Sequence, residues 1–256
     1  MAMELFHRVL GSGDPIIILH GIFGSSDNWM TIAKKLSQRY KLYLPDLRNH
    51  GNSFHHPDFN YKIMVNDMVS FIETHNISNP LIVGHSMGGK LAMNLALHLG
   101  PDIRKLMVID IGPQFYPIHH ERILNGLRDI KLDDFHARKD IDEALSGVIP
   151  EFAERQFILK NLKRMEDGSF AWKLNVESLS RNIGNVGEEI EGESKFTNPT
   201  LFVKGEHSHY LDKNNLDGIT KFFPNATITE VLGAGHWVHA DKPEAFLKVL
   251  QDFINQ

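Results

Sequence analysis

The chain has 256 residues, no cysteine and a formal charge of −5, with 42% hydrophobic and 23% charged residues. That length supports one large core, or a core that carries an insertion, and the absence of cysteine excludes a disulfide framework, a thiol nucleophile and a thiolate metal site. An acidic balance without any basic run argues against nucleic acid or an anionic membrane as the main partner, and no apolar run approaches the ~20 residues of a membrane span.

The residues from Met1 to Arg8 lack the basic-then-apolar pattern of a signal peptide, so a cytoplasmic location is expected. Pro15 to His20 is a continuous apolar run rich in β-branched residues, as in a strand buried on both faces of a parallel sheet. After Ser26-Asp27-Asn28, the spacing of Trp29, Ile32, Ala33 and Leu36 predicts a capped helix. Lys41 to Pro45 reads as a second buried strand, followed by a polar loop from Asp46 to Ser53. Ile63, Met64, Val65, Met68, Val69 and Ile72 have helical period, and the apolar run that begins at Leu81 and ends in Gly84-x-Ser86-x-Gly88 reads as a third strand. A helix from near Met87 to Leu99 stops at Gly100-Pro101, and Ile103 to Ile111 gives a fourth strand.

The pattern then changes. Residues 112–196 are more charged and mostly helical in period, with an Asp167-Gly168 turn before alternating Phe170, Trp172 and Leu174. The strand rhythm resumes at Thr200 to Gly205 and at Ala226 to Leu232, with a helix around Leu216 to Phe223 between them and a last helix started by Pro243. The expected fold class is α/β: a mostly parallel sheet with helices on both faces, joined by right-handed crossovers. Its core comprises 1–111 and 197–256, and 112–196 is expected to form a helical cap. His20, Ser86, Asp110, Ser208 and His236 all fall just past expected strand ends, where such sheets bind ligands.

Gly84-His85-Ser86-Met87-Gly88 supplies the candidate nucleophile. A serine hydroxyl attacks only when exposed, deprotonated by a base and set beside donors for the developing oxyanion. The two glycines let the chain reverse sharply at Ser86, and the following helix turns its free amides toward the atom attacked. Position selects the base among 15 histidines: His236 lies in a glycine-rich loop, Gly233 to His239, after the last strand. His239 is the fallback. The oxyanion donors are expected to be the main-chain amides of Met87 and of Ile22, with Phe23 the rival of Ile22. His20 is expected to hold its loop by hydrogen bonds, and Asp46, Arg48 and His50 to form a buried polar network.

These segments together resemble the α/β-hydrolase superfamily, whose triad runs serine, acid, histidine along the chain, and more closely the small YbfF-type bacterial esterases. The resemblance covers about Ile16 to Phe253 and rests on His20-Gly21-Ile22-Phe23-Gly24-Ser25, Asp46-x-Arg48-Asn49-His50-Gly51-x-Ser53, Gly84 to Lys90, Val108-Ile109-Asp110-Ile111 and Gly233 to His239. It implies an esterase acting on acyl esters or thioesters beneath a helical cap. It also bears on the acid. Most of the superfamily carries an aspartate a few residues after the strand that here ends at Gly205, and this chain has Ser208 there. The YbfF-type resemblance points instead to Asp110, with Ser208 orienting the pair, while Asp212 and Glu206 stay open as alternatives.

The histidine pairs His207/His209, His55/His56 and His119/His120 match no zinc-protease spacing, so neither a metal nor any other cofactor is expected. Serine at the elbow, where a carboxylate nucleophile would stand, argues against epoxide hydrolase or dehalogenase chemistry. The expected activity is therefore serine carboxylesterase through a Ser86-His236-Asp110 triad, on a small-molecule acyl ester. The alternatives are an acyl thioesterase (including acyl-CoA), a C–C bond hydrolase and a non-catalytic ligand-binding relative. Acyl length and oligomeric state are left open.

Overall fold

The computed structural model describes residues 3–212 and 216–256. The chain begins with β1 (His7–Leu10), β2 (Pro15–Leu19), α1 (Met30–Leu36), β3 (Lys41–Pro45), α2 (Tyr61–Thr74), β4 (Leu81–His85), α3 (Met87–Leu99) and β5 (Lys105–Ile109). Helices α4 (Glu121–Asp129), α5 (Arg138–Leu145) and α6 (Phe152–Leu159) follow, then a hairpin of β6 (Leu162–Arg164) and β7 (Phe170–Trp172), then α7 (Val176–Asn182). The last elements are β8 (Thr200–Gly205), α8 (Leu216–Phe222), β9 (Ala226–Val231), α9 (Val238–Asp241) and α10 (Pro243–Asn255). No helix among the described residues is long and apolar enough to cross a membrane.

Seven strands form one sheet in the order β1-β3-β2-β4-β5-β8-β9. All neighbours are parallel except β1, which runs antiparallel to β3. The continuous apolar runs reflect burial on both faces, because alternate residues of a strand point to opposite sides. Ile17, Leu19, Ile82, Leu106 and Val108 enter one apolar cluster, with α2 and α3. Ile16, Ile18, Val83, Met107 and Ile109 enter the other, with α1 and α10.

β1 is absent from the strands expected from sequence. It has four residues, His7-Arg8-Val9-Leu10, none of them fully buried, so it shows neither a buried run nor a clean alternation. Its pairing with β3 at the edge of the sheet makes it a strand.

The strand order places the site. From β2 the chain moves to β3 on one side and returns through α2 to β4 on the other, so the topology reverses between β2 and β4. A crevice opens at such a switch point, beyond the carboxyl ends of the two strands. Those ends carry His20 to Gly24 and Ser86. The register continues past the strands: Ser86 donates its N–H to Ile109 O at 3.0 Å, and Asp110 to Val203 O at 2.8 Å.

Apolar residues of 112–196, among them Ile123, Leu127, Ile158 and Leu179, share the cluster beneath α2 and α3. Lys90, 1% exposed on α3, ties this segment down at both ends. Its ammonium donates to the carbonyls of Pro113 at 3.2 Å, Gln114 and Glu188. Burial lowers its pKa to about 7, against the raising effect of Glu189 and Glu188.

Three buried imidazoles make the fold sensitive to acid. His20 Nδ1–H donates to Gly21 O at 2.8 Å while Nε2 accepts from Leu47 N–H at 2.9 Å, a pattern only the neutral ring can make. Burial lowers His20 to about 4, and His50 and His239 to about 3. Each folded pKa lies below the unfolded value of 6.5, so below 6.5 the unfolded chain binds protons that the folded one does not. Stability is therefore full above 6.5 and declines as pH falls toward the folded values. Urea unfolding should show a midpoint falling steadily from about pH 7 to about pH 4; a flat midpoint over that window would contradict neutral burial of these rings.

Candidate active site

Ser86 stands between β4 and α3 with φ 53° and ψ −121°, a strained conformation for any residue with a Cβ. The glycines around it permit this. A Cβ on Gly84 would strike the carbonyl of Gly88, and one on Gly88 would strike the carbonyl of Leu19. Strand, turn and helix thus pack closer than any side chain allows, with Ser86 at the tip. Met87 opens α3, so its N–H belongs to the first turn, which lacks partners inside the helix. Ile22 and Phe23 lie across the crevice, in the turn closed by Gly24 N–H to Gly21 O at 3.0 Å. Phe23 has φ 60°, and its carbonyl accepts from Asn161 Nδ2 at 2.8 Å, which joins the loop to the 112–196 segment.

Asp110 follows β5 with φ 54° and is fully buried. Three donors converge on its two oxygens. Gly205 N–H reaches Oδ1 at 3.1 Å, while the Ser208 hydroxyl and His236 Nδ1, the latter at 2.7 Å, share Oδ2. A carboxylate so surrounded serves as a fixed acceptor, and the proton it draws to Nδ1 leaves Nε2 as the basic nitrogen of His236.

The loop that carries His236 is held at several points. Gly233 N–H donates to Glu206 Oε2 at 2.7 Å, Gly235 N–H to Asp241 Oδ2 at 2.8 Å and His207 N–H to Ala234 O at 2.9 Å. His85 Nε2 donates to the carbonyl of His236 at 2.9 Å. Tyr210 stacks on the imidazole, with centroids 4.2 Å apart and planes 24° apart. Tyr210 escapes a sequence reading, since no motif marks a ring that matters only by lying against another, and nothing in the elbow motif announces the bond of its His85 to the distant His236.

The expected site residues therefore fall into two connected groups. Ser86, Ile22 and His236 line one cavity of about 50 Å³, together with Phe23, Phe157 and Trp237. Asp110 and Ser208 stand behind His236 through hydrogen bonds. Of the other carboxylates weighed, Glu206 accepts from Gly233 N–H, and Asp212 is exposed. His239 is buried, stacked on Trp29 at 4.0 Å, and borders the same cavity. His20 braces its loop through Gly21 and Leu47. In the loop after β3, the Asp46 carboxylate accepts from Ser26 N–H at 2.6 Å and Asn52 N–H at 2.8 Å, Arg48 grips Asp67 with two bonds, and His50 Nδ1 donates to Arg48 O at 2.9 Å.

Glu154 brings a carboxylate to the cavity wall. Burial lowers His120 on its wall to about 4 and His239 to about 3, so both are neutral near pH 7. A space bordered mainly by aromatic and apolar groups, with a hydroxyl and an imidazole at one end and the Glu154 carboxylate on the wall, suits an uncharged carbonyl compound over an anionic one.

Known proteins share this fold. The model of the alpha/beta hydrolase fold matches residues 14–243. Esterase YbfF of Escherichia coli is 33% identical over 95% of this chain and 94% of its own length. The sn-1-specific diacylglycerol lipase ABHD11 of Xenopus laevis is 36% identical over 94% of this chain and 80% of its own. Among solved structures, a marine microorganism esterase superposes with a TM-score of 0.96 at 40% identity, covering 98% of this chain and all of that one. With the family model matching residues 14–243, nearly the whole chain, the chain belongs to the alpha/beta hydrolase fold family.

Proposed function

We propose that the chain is a serine carboxylesterase in which Ser86 is the nucleophile, His236 the general base and Asp110 the acid that orients it. His236 Nε2 takes the hydroxyl proton as Ser86 Oγ attacks the ester carbonyl. The tetrahedral oxyanion is held by the amides of Met87 and Ile22. His236 then gives its proton to the leaving alcohol, and an acyl-enzyme forms. Water, activated by the same imidazole, releases the acid and restores Ser86. Ser208 steadies the Asp110 carboxylate through its hydroxyl.

The observation that carries this reading is the bond of 2.7 Å from His236 Nδ1 to the buried Asp110, behind a cavity shared with a strained Ser86. The names of the relatives, esterases and a lipase, support the same class of reaction. Residues 112–196 act as the cap over the core formed by 1–111 and 197–256. Phe157, Ile158, His120 and Ile123 of that segment border the cavity, so closing the cap would shape the acyl site.

The narrow cavity gives a direction to the test. In a series of p-nitrophenyl esters, acetyl to butyryl substrates should exceed dodecanoyl in kcat/KM by about tenfold or more, since an acyl chain that outgrows its pocket loses transition-state binding. A thioester of the preferred acyl group belongs in the same series, because it would use the same constellation. No turnover of any ester by the folded protein would overturn the proposal.

A further inference from the structure

Glu4, His7 and His75 come from three separate places in the chain and meet at the β1 edge of the sheet. His7 begins β1, His75 caps the C-terminus of α2, and Glu4 precedes β1. One donor atom from each lies within 4.8 Å of the other two. His75 Nε2 stands 3.6 Å from Glu4 Oε1, near the ~3.3 Å that separates two ligands around a tetrahedral ion with bonds of ~2.0 Å.

The two imidazoles are arranged as ligands. His7 Nδ1–H donates to Leu5 O at 3.2 Å, which assigns the proton and leaves Nε2 with its lone pair. Metal-binding histidines are commonly held this way, by a carbonyl on the second nitrogen. His75 Nε2 is buried and makes no hydrogen bond. A buried polar atom that makes no hydrogen bond is costly, and the Glu4 carboxylate, its charged neighbour at 3.6 Å, stands beyond hydrogen-bond distance and leaves room for an ion between them. The rings are fixed by packing: His7 and His75 lie 4.3 Å apart by centroid, and Phe71 contacts both. Asp67 borders the hollow lined by Glu4 and His75, but its carboxylate is engaged by Arg48.

We infer that Glu4, His7 and His75 form a binding site for a divalent first-row transition ion of the zinc type, with two imidazole nitrogens and one carboxylate as ligands and water completing the shell. Nitrogen donors exclude calcium and magnesium as the preferred occupant. The ion ties the residues before β1 to the end of α2. It shares no ligand with the Ser86 cavity, and the proposal does not rest on the esterase reading.

The test is calorimetric titration of the full chain, stripped with a chelator, with zinc ion alone. Glu4→Gln, His7→Gln, His75→Gln and His236→Ala are titrated beside it. The expected result is one saturable site per chain, with affinity at least about tenfold lower in each of the first three variants and unchanged in His236→Ala. Cobalt substituted for zinc should give the visible absorption of a four-coordinate site in the wild type and lose it in His75→Gln. Glu4 is exposed, so its variant keeps the test decisive even if a histidine variant fails to fold. No saturable binding would overturn the inference. So would equal affinity in all the variants, which would place the ion on other histidines.

Discussion

Ser86→Ala should lose ester turnover by about 10⁶-fold in kcat while folding as the wild type does. That is the scale at which removing the nucleophile of a serine hydrolase reduces it to what the oxyanion donors and binding supply alone. The substitution deletes one oxygen and leaves the backbone of the elbow with the same φ of 53° to support. Packing is untouched, and a melting temperature equal to or above that of the wild type is expected, since residues held in strained sites for chemistry commonly cost stability. The decisive pair of measurements is single-turnover release of p-nitrophenol and thermal unfolding, made on the same preparation. Covalent labelling by a fluorophosphonate, present in the wild type and absent from the variant, would identify the attacking atom independently. Turnover within a few-fold of wild type in the folded variant would remove Ser86 from the mechanism.

Asp110→Asn should lower kcat by about 10⁴-fold, the scale at which the wrong histidine tautomer disables such a triad. The reasoning is geometric. Gly205 N–H, Ser208 O–H and His236 Nδ1–H all donate to the two oxygens of Asp110. An asparagine has one oxygen. If that oxygen keeps the bond to Gly205, the amide NH₂ faces His236 and forces its proton to Nε2, where it can no longer accept from Ser86. If the side chain flips, NH₂ confronts the Gly205 N–H instead, and a buried donor is left without an acceptor. Either outcome removes a working base or its support. Asp212→Asn and Glu206→Gln, assayed in parallel, should stay near wild-type kcat. A large loss in Asp212→Asn with Asp110→Asn active would transfer the role of the acid.

The elbow was open to sequence reasoning because everything that defines it is local. The apolar run, two glycines at fixed distance from Ser86 and a helix all lie within Leu81 to Leu99. The buried strands were legible for a similar reason, since a strand covered on both faces leaves an unbroken apolar run such as Ile16 to Leu19. β1 was not, because an edge strand needs only one neighbour and tolerates His7, Arg8 and a solvent-facing Val9.

Residue order along the chain by itself determined the α/β class, the buried strands, the elbow at Ser86 and the loop of His236, because burial and sharp turns constrain residue types at short range. It left three carboxylates, Asp110, Asp212 and Glu206, as rivals for one histidine. Only the packed structure separated their surroundings, by placing the Asp110 carboxylate 2.7 Å from His236 across 126 residues of chain. The same holds for Tyr210 on the imidazole, for Lys90 between the two ends of the 112–196 segment and for His75 beside Glu4 and His7. In each case the partner is remote in sequence and the contact depends on where a side chain points, which sheet order and helix packing decide and no local pattern records.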